Sequence, residues 1–237
     1  MKSSFKKRLQ KIRSVVTFWI KDPTLKHLKA IRLHEIETVI KMLPHKGRVL
    51  EIGAGTGWQA QVLKNYGYDV NAIDVTSNNC MFPVTMYDGV NIPFEDNTFD
   101  IIFSSNTLEH IPHVYDFQKE IHRVLKTDGI VLHMLPSSSW RLWTNVTHFL
   151  KYWTIPTTHG VQAKNSLIEI YYFSRRWWIK LFTNTGWRIF SQDSNRLFYT
   201  GHLILDSRLN LNTRSKLSYI LGSSCNIFIM SSDFKKI

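Results

Sequence analysis

Cysteine is almost missing from this chain of 237 residues: only Cys80 and Cys225 occur, far apart and without a Cys-x-x-Cys spacing. That excludes a disulfide framework and a zinc knuckle, and two buried, inert thiols in a reducing compartment are expected. Acidic residues are scarce as well, 18 against 30 lysines and arginines, for a net charge of +12. Internal repeats and low-complexity stretches are lacking, and 43% hydrophobic with 13% aromatic content excludes disorder. One domain with a sizeable core is expected. No group of carboxylates and histidines stands at metal-ligand spacing, so no required metal is expected. Glycine numbers only 11, which gives weight to the one place where it clusters.

That place is the stretch Arg48-Val49-Leu50-Glu51-Ile52-Gly53-Ala54-Gly55-Thr56-Gly57, an apolar strand that runs into a glycine turn. Gly53, Gly55 and Gly57 put no β-carbon between the backbone and a ligand, and a helix opening near Trp58 presents its free N–H groups there. A corner whose glycines only let the chain bend would read the same way. A second strand over residues 68–73 ends in Asp74, roughly 20 residues beyond Gly53, where open α/β folds hold a ribose diol on a carboxylate. The spacing is Gly-x-Gly-x-Gly rather than Gly-x-Gly-x-x-Gly, and Glu51 sets a carboxylate where a pyrophosphate loop has none. Both features favour a cationic cofactor over a dinucleotide.

Downstream stand Met86-Tyr87-Asp88-Gly89, then Phe99-Asp100-Ile101-Ile102-Phe103-Ser104-Ser105-Asn106-Thr107-Leu108-Glu109-His110, then Glu120-Ile121-His122-Arg123-Val124-Leu125. Together with the first loop, these segments resemble the successive motifs of the class I S-adenosylmethionine-dependent methyltransferases over residues 48–136. The resemblance implies a Rossmann-like α/β fold, a seven-stranded, mostly parallel sheet with helices on both faces and the last strand antiparallel. It implies S-adenosylmethionine as cofactor. Glu51 and Gly53 would lie near its methionine moiety, with Ala54, Gly55 and Gly57 completing the loop. Asp74 would take the ribose, Asp88 and Gly89 the adenine edge, and Asn106 would follow strand four beside the cofactor. Asp74 and Val84 lie too close for the full helix that such folds carry between strands two and three, and Asn78, Asn79 and Pro83 favour a turn. A shortened helix is expected there.

Residues 1–22 are expected to form a basic amphipathic helix, followed by a methyltransferase domain over 23–237 with an insertion at 137–173. Lys2, Lys6, Lys7, Arg8, Lys11, Arg13 and Lys21 meet no acidic residue in the first 21 positions, while Phe5, Leu9, Ile12, Val16 and Trp19 share one helical face. An interfacial helix on an anionic membrane surface has that pattern, as do a presequence and a helix packed on the core with a solvated basic face. The expected location is cytoplasmic, peripheral on the inner face of the membrane if lipid is the partner. A second helix is expected over 24–43 with Thr24 as its cap, a fifth strand over 129–135, a helix over 174–185, and strands at 187–190, 198–205 and 225–230.

Residues 140–173 are rich in aromatic and polar side chains and read as a long loop, placed where this fold inserts acceptor-recognition elements. An aromatic subcore explains the same residues. Their wording is loosely similar to methyltransferases of bacterial surface-polysaccharide biosynthesis. The expected acceptor is therefore a hydroxyl, or an amine, of a small molecule, glycan or glycolipid. A hydroxyl benefits from a base, for which His110 and His159 are the candidates, whereas His133 alternates with strand residues and reads as a core histidine. The alternatives are an RNA methyltransferase and a non-catalytic cofactor-binding scaffold at a membrane. Nucleic acid is disfavoured because the basic charge gathers in one terminal segment. An NAD-dependent short-chain reductase would use Tyr115 and Lys119, which fall too near the glycine loop.

Overall fold

The computed structural model describes residues 20–21, 25–44, 46–76, 80–204 and 209–232. The strands are β1 (Ile20–Lys21), β2 (Arg48–Ile52), β3 (Asp69–Asp74), β4 (Thr85–Met86), β5 (Phe99–Ser105), β6 (Leu125–Pro136), β7 (Trp187–Ser194), β8 (Leu203–Ile204) and β9 (Cys225–Ser232). The helices are α1 (Leu25–Ile40), α2 (Trp58–Asn65), α3 (Val114–Val124), α4 (Ser138–Tyr152), α5 (Glu169–Tyr172), α6 (Arg175–Asn184) and α7 (Leu211–Leu221). Seven strands form one sheet in the order β4-β3-β2-β5-β6-β9-β7. Pairs from β4 to β6 are parallel, and β9, the last strand in the chain, runs antiparallel to both of its neighbours. The expected Rossmann-like architecture is the observed one.

Sheets covered on both faces need strands that are apolar on both, and the central strands meet that need. On β2, Leu50 and Ile52 join Ile102, Phe117, Ile121, Trp178 and Phe182 in the core under α3 and α6. Val49, one position away and on the opposite face, joins Ile36, Val39, Leu63, Phe103 and Ile227 under α1 and α2. A one-residue change of register would exchange these two sets, so the pairing is strongly fixed. Helix α6 starts where Ser174 accepts from the Trp177 amide, as the capping pattern predicts. Between β3 and β4 there is no helix among the described residues, in line with the expected shortening.

Several local expectations are corrected. The stretch read as a long loop contains α4, because Ser137 accepts from the Trp140 amide and starts a helix that ends with Trp153 in the left-handed region at φ 60°. Helix α7 was not anticipated; Asn210 caps it by accepting from the Thr213 amide. In place of a strand over 198–205, among the described residues of that stretch Leu203–Ile204 alone form a strand, paired with β1 outside the main sheet. The preceding backbone finds other partners: the Phe198 amide donates to the Arg214 carbonyl and the Tyr199 amide to the Ser224 hydroxyl. Cys225 is buried but Cys80 is exposed, since the segment that carries it has no helix to cover it. The proposed amphipathic face at Phe5, Leu9, Ile12, Val16 and Trp19, and the Thr24 cap, lie outside the described residues.

Candidate functional site

The carboxyl ends of β2, β3 and β5 converge where open α/β sheets bind ligands. Gly53 and Ala54 donate their amides to the Ile73 carbonyl at 2.9 and 3.1 Å, which fastens the glycine turn to β3. Gly53 sits at φ 74°, and a β-carbon there would stand 2.3 Å from the Thr107 side chain; Gly57, at φ 72°, is pressed against Phe82. These two glycines serve the packing of the turn. Gly55 differs, because a β-carbon on it would meet nothing within 4 Å. Its amide donates to Asp74 Oδ2 at 2.8 Å, while Asp74 Oδ1 accepts from the Thr76 amide at 3.0 Å.

Five of the nine residues expected to bind the cofactor come together around a cleft of about 360 Å³: Gly53, Asp74, Asp88, Gly89 and Asn106. Val75, Tyr87, Thr107, His110, Ile111, Pro112 and His113 complete its walls. Asp88 accepts from the Val90 and Asn91 amides at 2.8 and 2.7 Å, and these bonds hold its carboxyl below the usual range. Asn106 takes φ 52°, and its amide donates to the Met134 carbonyl. Among the described residues the lining includes two carboxylates and no lysine or arginine. Such a donor set suits a ligand with ribose hydroxyls, an amino-bearing base and positive charge, and its two carboxylates would repel a pyrophosphate. S-adenosylmethionine fits it better than a dinucleotide. Tyr115 and Lys119 are outside this lining, and Lys119 pairs with Asp116 at 2.8 Å.

Glu51, Ala54, Gly55 and Gly57 build the loop without lining the cleft. For Glu51 the electrostatic expectation changes. Its side chain is buried beneath the turn and accepts from the Ala60 amide in the first turn of α2, while Oε2 has no hydrogen-bond partner. Burial pushes the carboxyl up to about 8, with Asp74 adding to the shift. Burial thus disfavours its charge near neutral pH, and Asp74 and Asp88 are the carboxylates that line the cleft.

Asn106 and His110 also border a second cavity of about 160 Å³, closed by Arg32, Pro136, Trp140, His159, Tyr199, Ser224 and Cys225. Trp140 and His159 in turn border an outer groove of about 600 Å³ built from the insertion and residues 201–202. The two candidate bases face each other here, with ring centroids 4.8 Å apart. Glu109, unnoticed in the sequence, lies beneath them: its Oε1 is 3.8 Å from His110 Nε2 and 3.8 Å from His159 Nε2. Both of its carboxyl oxygens are buried without a hydrogen-bond partner, and burial pushes the carboxyl up to about 8. Partial burial lowers His110, and burial together with His110 and Arg141 pulls His159 down to about 4. Both imidazoles are neutral at pH 7.

His159 is held through residues that local spacing did not reveal. The His159 and Gly160 amides donate to Glu169, whose Oε2 pairs with Arg141 Nε at 2.7 Å, both side chains being buried. The Val161 amide donates to the Glu109 carbonyl at 3.0 Å, and a β-carbon on Gly160 would stand 2.7 Å from that same oxygen. Gly160 therefore lets the insertion lie directly on the turn after β5. His133 remains a core residue, with Nδ1 2.7 Å from the Ser104 hydroxyl and a value pushed down to about 3 by burial.

Comparison with known proteins agrees with this geometry. Residues 25–192 match the family model described as a methyltransferase domain. The chain is 33% identical over 98 residues to phosphoethanolamine N-methyltransferase 2 of Caenorhabditis elegans, a match covering 35% of this chain and 22% of that protein. It is 29% identical over 102 residues to 2-methyl-6-phytyl-1,4-hydroquinone methyltransferase of Synechocystis, covering 38% of this chain and 32% of the relative. The chain thus spans about a fifth to a third of the length of these curated relatives. Among solved structures, a SAM-dependent methyltransferase from Aquifex aeolicus superposes with a TM-score of 0.54 at 18% identity, covering 94% of this chain and 98% of that one. The chain belongs to the methyltransferase-domain family, with S-adenosylmethionine as its cofactor.

Proposed function

We propose that this protein methylates a hydroxyl, or an amine, carried by a small molecule, glycan or glycolipid. The observation that carries this reading is the run of three adjoining spaces: the cofactor cleft meets the small cavity at Asn106 and His110, and that cavity meets the outer groove at Trp140 and His159. Bound S-adenosylmethionine supplies an electrophilic methyl group on its sulfonium. Asp74 and Asp88 hold the nucleoside end, and Asn106 and His110 line the end that opens into the small cavity. A cavity of about 160 Å³ admits one reacting group, while the larger groove, with Trp140, Ile155, Pro156 and His148 in its lining, takes the body of the acceptor. Apolar and aromatic faces with a few polar groups are suited to sugar rings and other partly apolar surfaces. Neutral His110 and His159 are in the form that accepts a proton from a hydroxyl.

The named relatives act on a phosphoethanolamine and a hydroquinone, both small acceptors, which supports this class over RNA. An anionic membrane surface is the proposed partner of residues 1–21, on the charge pattern of the sequence alone; no helix among the described residues is long and apolar enough to cross a membrane. Flotation with anionic vesicles, with and without those residues, tests that partner. The central test is transfer of labelled methyl from S-adenosylmethionine to glycan, lipid and RNA fractions of the native cell. Label should enter a glycan, lipid or small-molecule fraction with wild type and not with Asp74→Ala, and S-adenosylhomocysteine should bind that variant roughly 30- to 100-fold more weakly. Label confined to RNA, or full transfer by Asp74→Ala, would sink the reading.

A further inference from the structure

The turn after β5 leaves Glu109 in an unusual state. Its carboxyl group is fully buried, neither oxygen has a hydrogen-bond partner, Arg32 attracts it through space, and its Oε1 lies 3.8 Å from the Nε2 atoms of two imidazoles. Burying a carboxyl without partners is costly, so such a group calls for a missing one. One ligand atom from each of Glu109, His110 and His159 lies within 4.8 Å of the others, and the two glutamate–imidazole separations are 3.8 Å. Atoms bonded to one ion at about 2.1 Å stand at most about 4.2 Å apart, so modest rotation of the two half-exposed rings closes the set. We propose that Glu109, His110 and His159 bind a divalent transition-metal ion at the junction of the cofactor cleft and the acceptor cavity.

Two imidazoles and one carboxylate form a hard-to-borderline donor set that leaves coordination positions open. His110 and Asn106 border both spaces, so the open positions face the point where an acceptor hydroxyl would meet the cofactor cleft. The supports expected around metal ligands are also present. Glu169, neutralised by Arg141, fixes the His159 backbone, and Gly160 keeps that loop against Glu109. No local spacing announces the site, because His159 reaches the Glu109–His110 turn only through the insertion. The role at the acceptor rests on the reading of the cleft given above: a hydroxyl on the ion releases its proton to bulk water more readily, so no separate histidine base is needed.

Titrating metal-free full-length protein with Co²⁺ reads the site without turnover. One Co²⁺ per chain with visible ligand-field absorption is expected, weakened about 100-fold or more in His159→Ala and in Glu109→Gln. Neither residue lines the cofactor cleft, so S-adenosylhomocysteine binding by calorimetry should be retained in both variants and certifies that they are folded. Failure of wild type to bind Co²⁺, or wild-type affinity in both variants, would overturn the site. So would loss of Co²⁺ in His148→Ala, which would place the metal on the His148–His202 pair, whose Nδ1 and Nε2 stand 3.1 Å apart. Absence of S-adenosylhomocysteine binding in wild type would overturn the methyltransferase reading while leaving the Co²⁺ result to judge the site by itself.

Discussion

Replacing Glu51 with Gln removes one proton-binding group and almost nothing else, which makes it a clean probe of the glycine loop. Glu51 is 1% exposed, and burial raises its carboxyl from 4.5 to about 8. A carboxyl raised in this way holds its proton more tightly in the folded than in the unfolded chain. Its stabilising contribution is therefore greatest at low pH and is lost as pH rises from about 4.5 to about 8. Between pH 6.5 and 8 the unfolded group is already ionised while the folded one is only beginning to be, so the loss is roughly 2 kcal/mol. Glu109, also raised to about 8, adds a similar loss in metal-free buffer. Below about pH 6.5 the depressed His133 and His159 act in the opposite sense, since their stabilising effect is present when they are neutral and fades as pH falls. Wild type should show a plateau near pH 5 to 6.5 and a decline above it. Urea midpoints at pH 6.5, 7, 7.5 and 8, with EDTA present, measure this. Glu51→Gln, which stays neutral, should exceed wild type by roughly 3 kcal/mol at pH 6.5 and lose about half as much between pH 6.5 and 8. An identical decline in the two proteins would show that Glu51 is ionised in the folded state and that its burial has been misjudged.

The two kinds of glycine in the loop should separate on mutation. Gly53→Ala forces a β-carbon to 2.3 Å from Thr107 at φ 74° and should cost roughly 2–4 kcal/mol, whereas Gly55→Ala, with open space around it, should cost about 1 kcal/mol; thermal melts rank them. Arg141→Met strands the buried Glu169 carboxylate and should destabilise by roughly 3–5 kcal/mol, and adding Glu169→Met should recover part of that loss in chemical denaturation, an absence of recovery counting against the ion pair as the organiser of the His159 loop.

That Gly53, Asp74, Asp88, Gly89 and Asn106 would share one cleft was readable in the sequence because each of them is set locally. Gly53 to Gly57, Asp74, Asp88 and Asn106 sit at the ends of successive strands, and a parallel sheet delivers successive strand ends to one edge. What failed there was charge, since the letter Glu at position 51 says nothing of the burial that keeps its proton on. The acceptor half is assembled differently. Glu109 and His159 are distant in sequence, and three contacts join them: the Arg141–Glu169 pair, the Val161 amide on the Glu109 carbonyl, and the close approach that Gly160 permits. None has a period or a spacing. The one sign available was Gly160 itself, a lone glycine beside a histidine in an aromatic stretch, which marks a close backbone approach without naming what is approached. Arg141 and His159 also line the outer groove, so changes in the insertion reach that groove and the Glu109–His110–His159 cluster together, while Asp74 and Asp88 line neither.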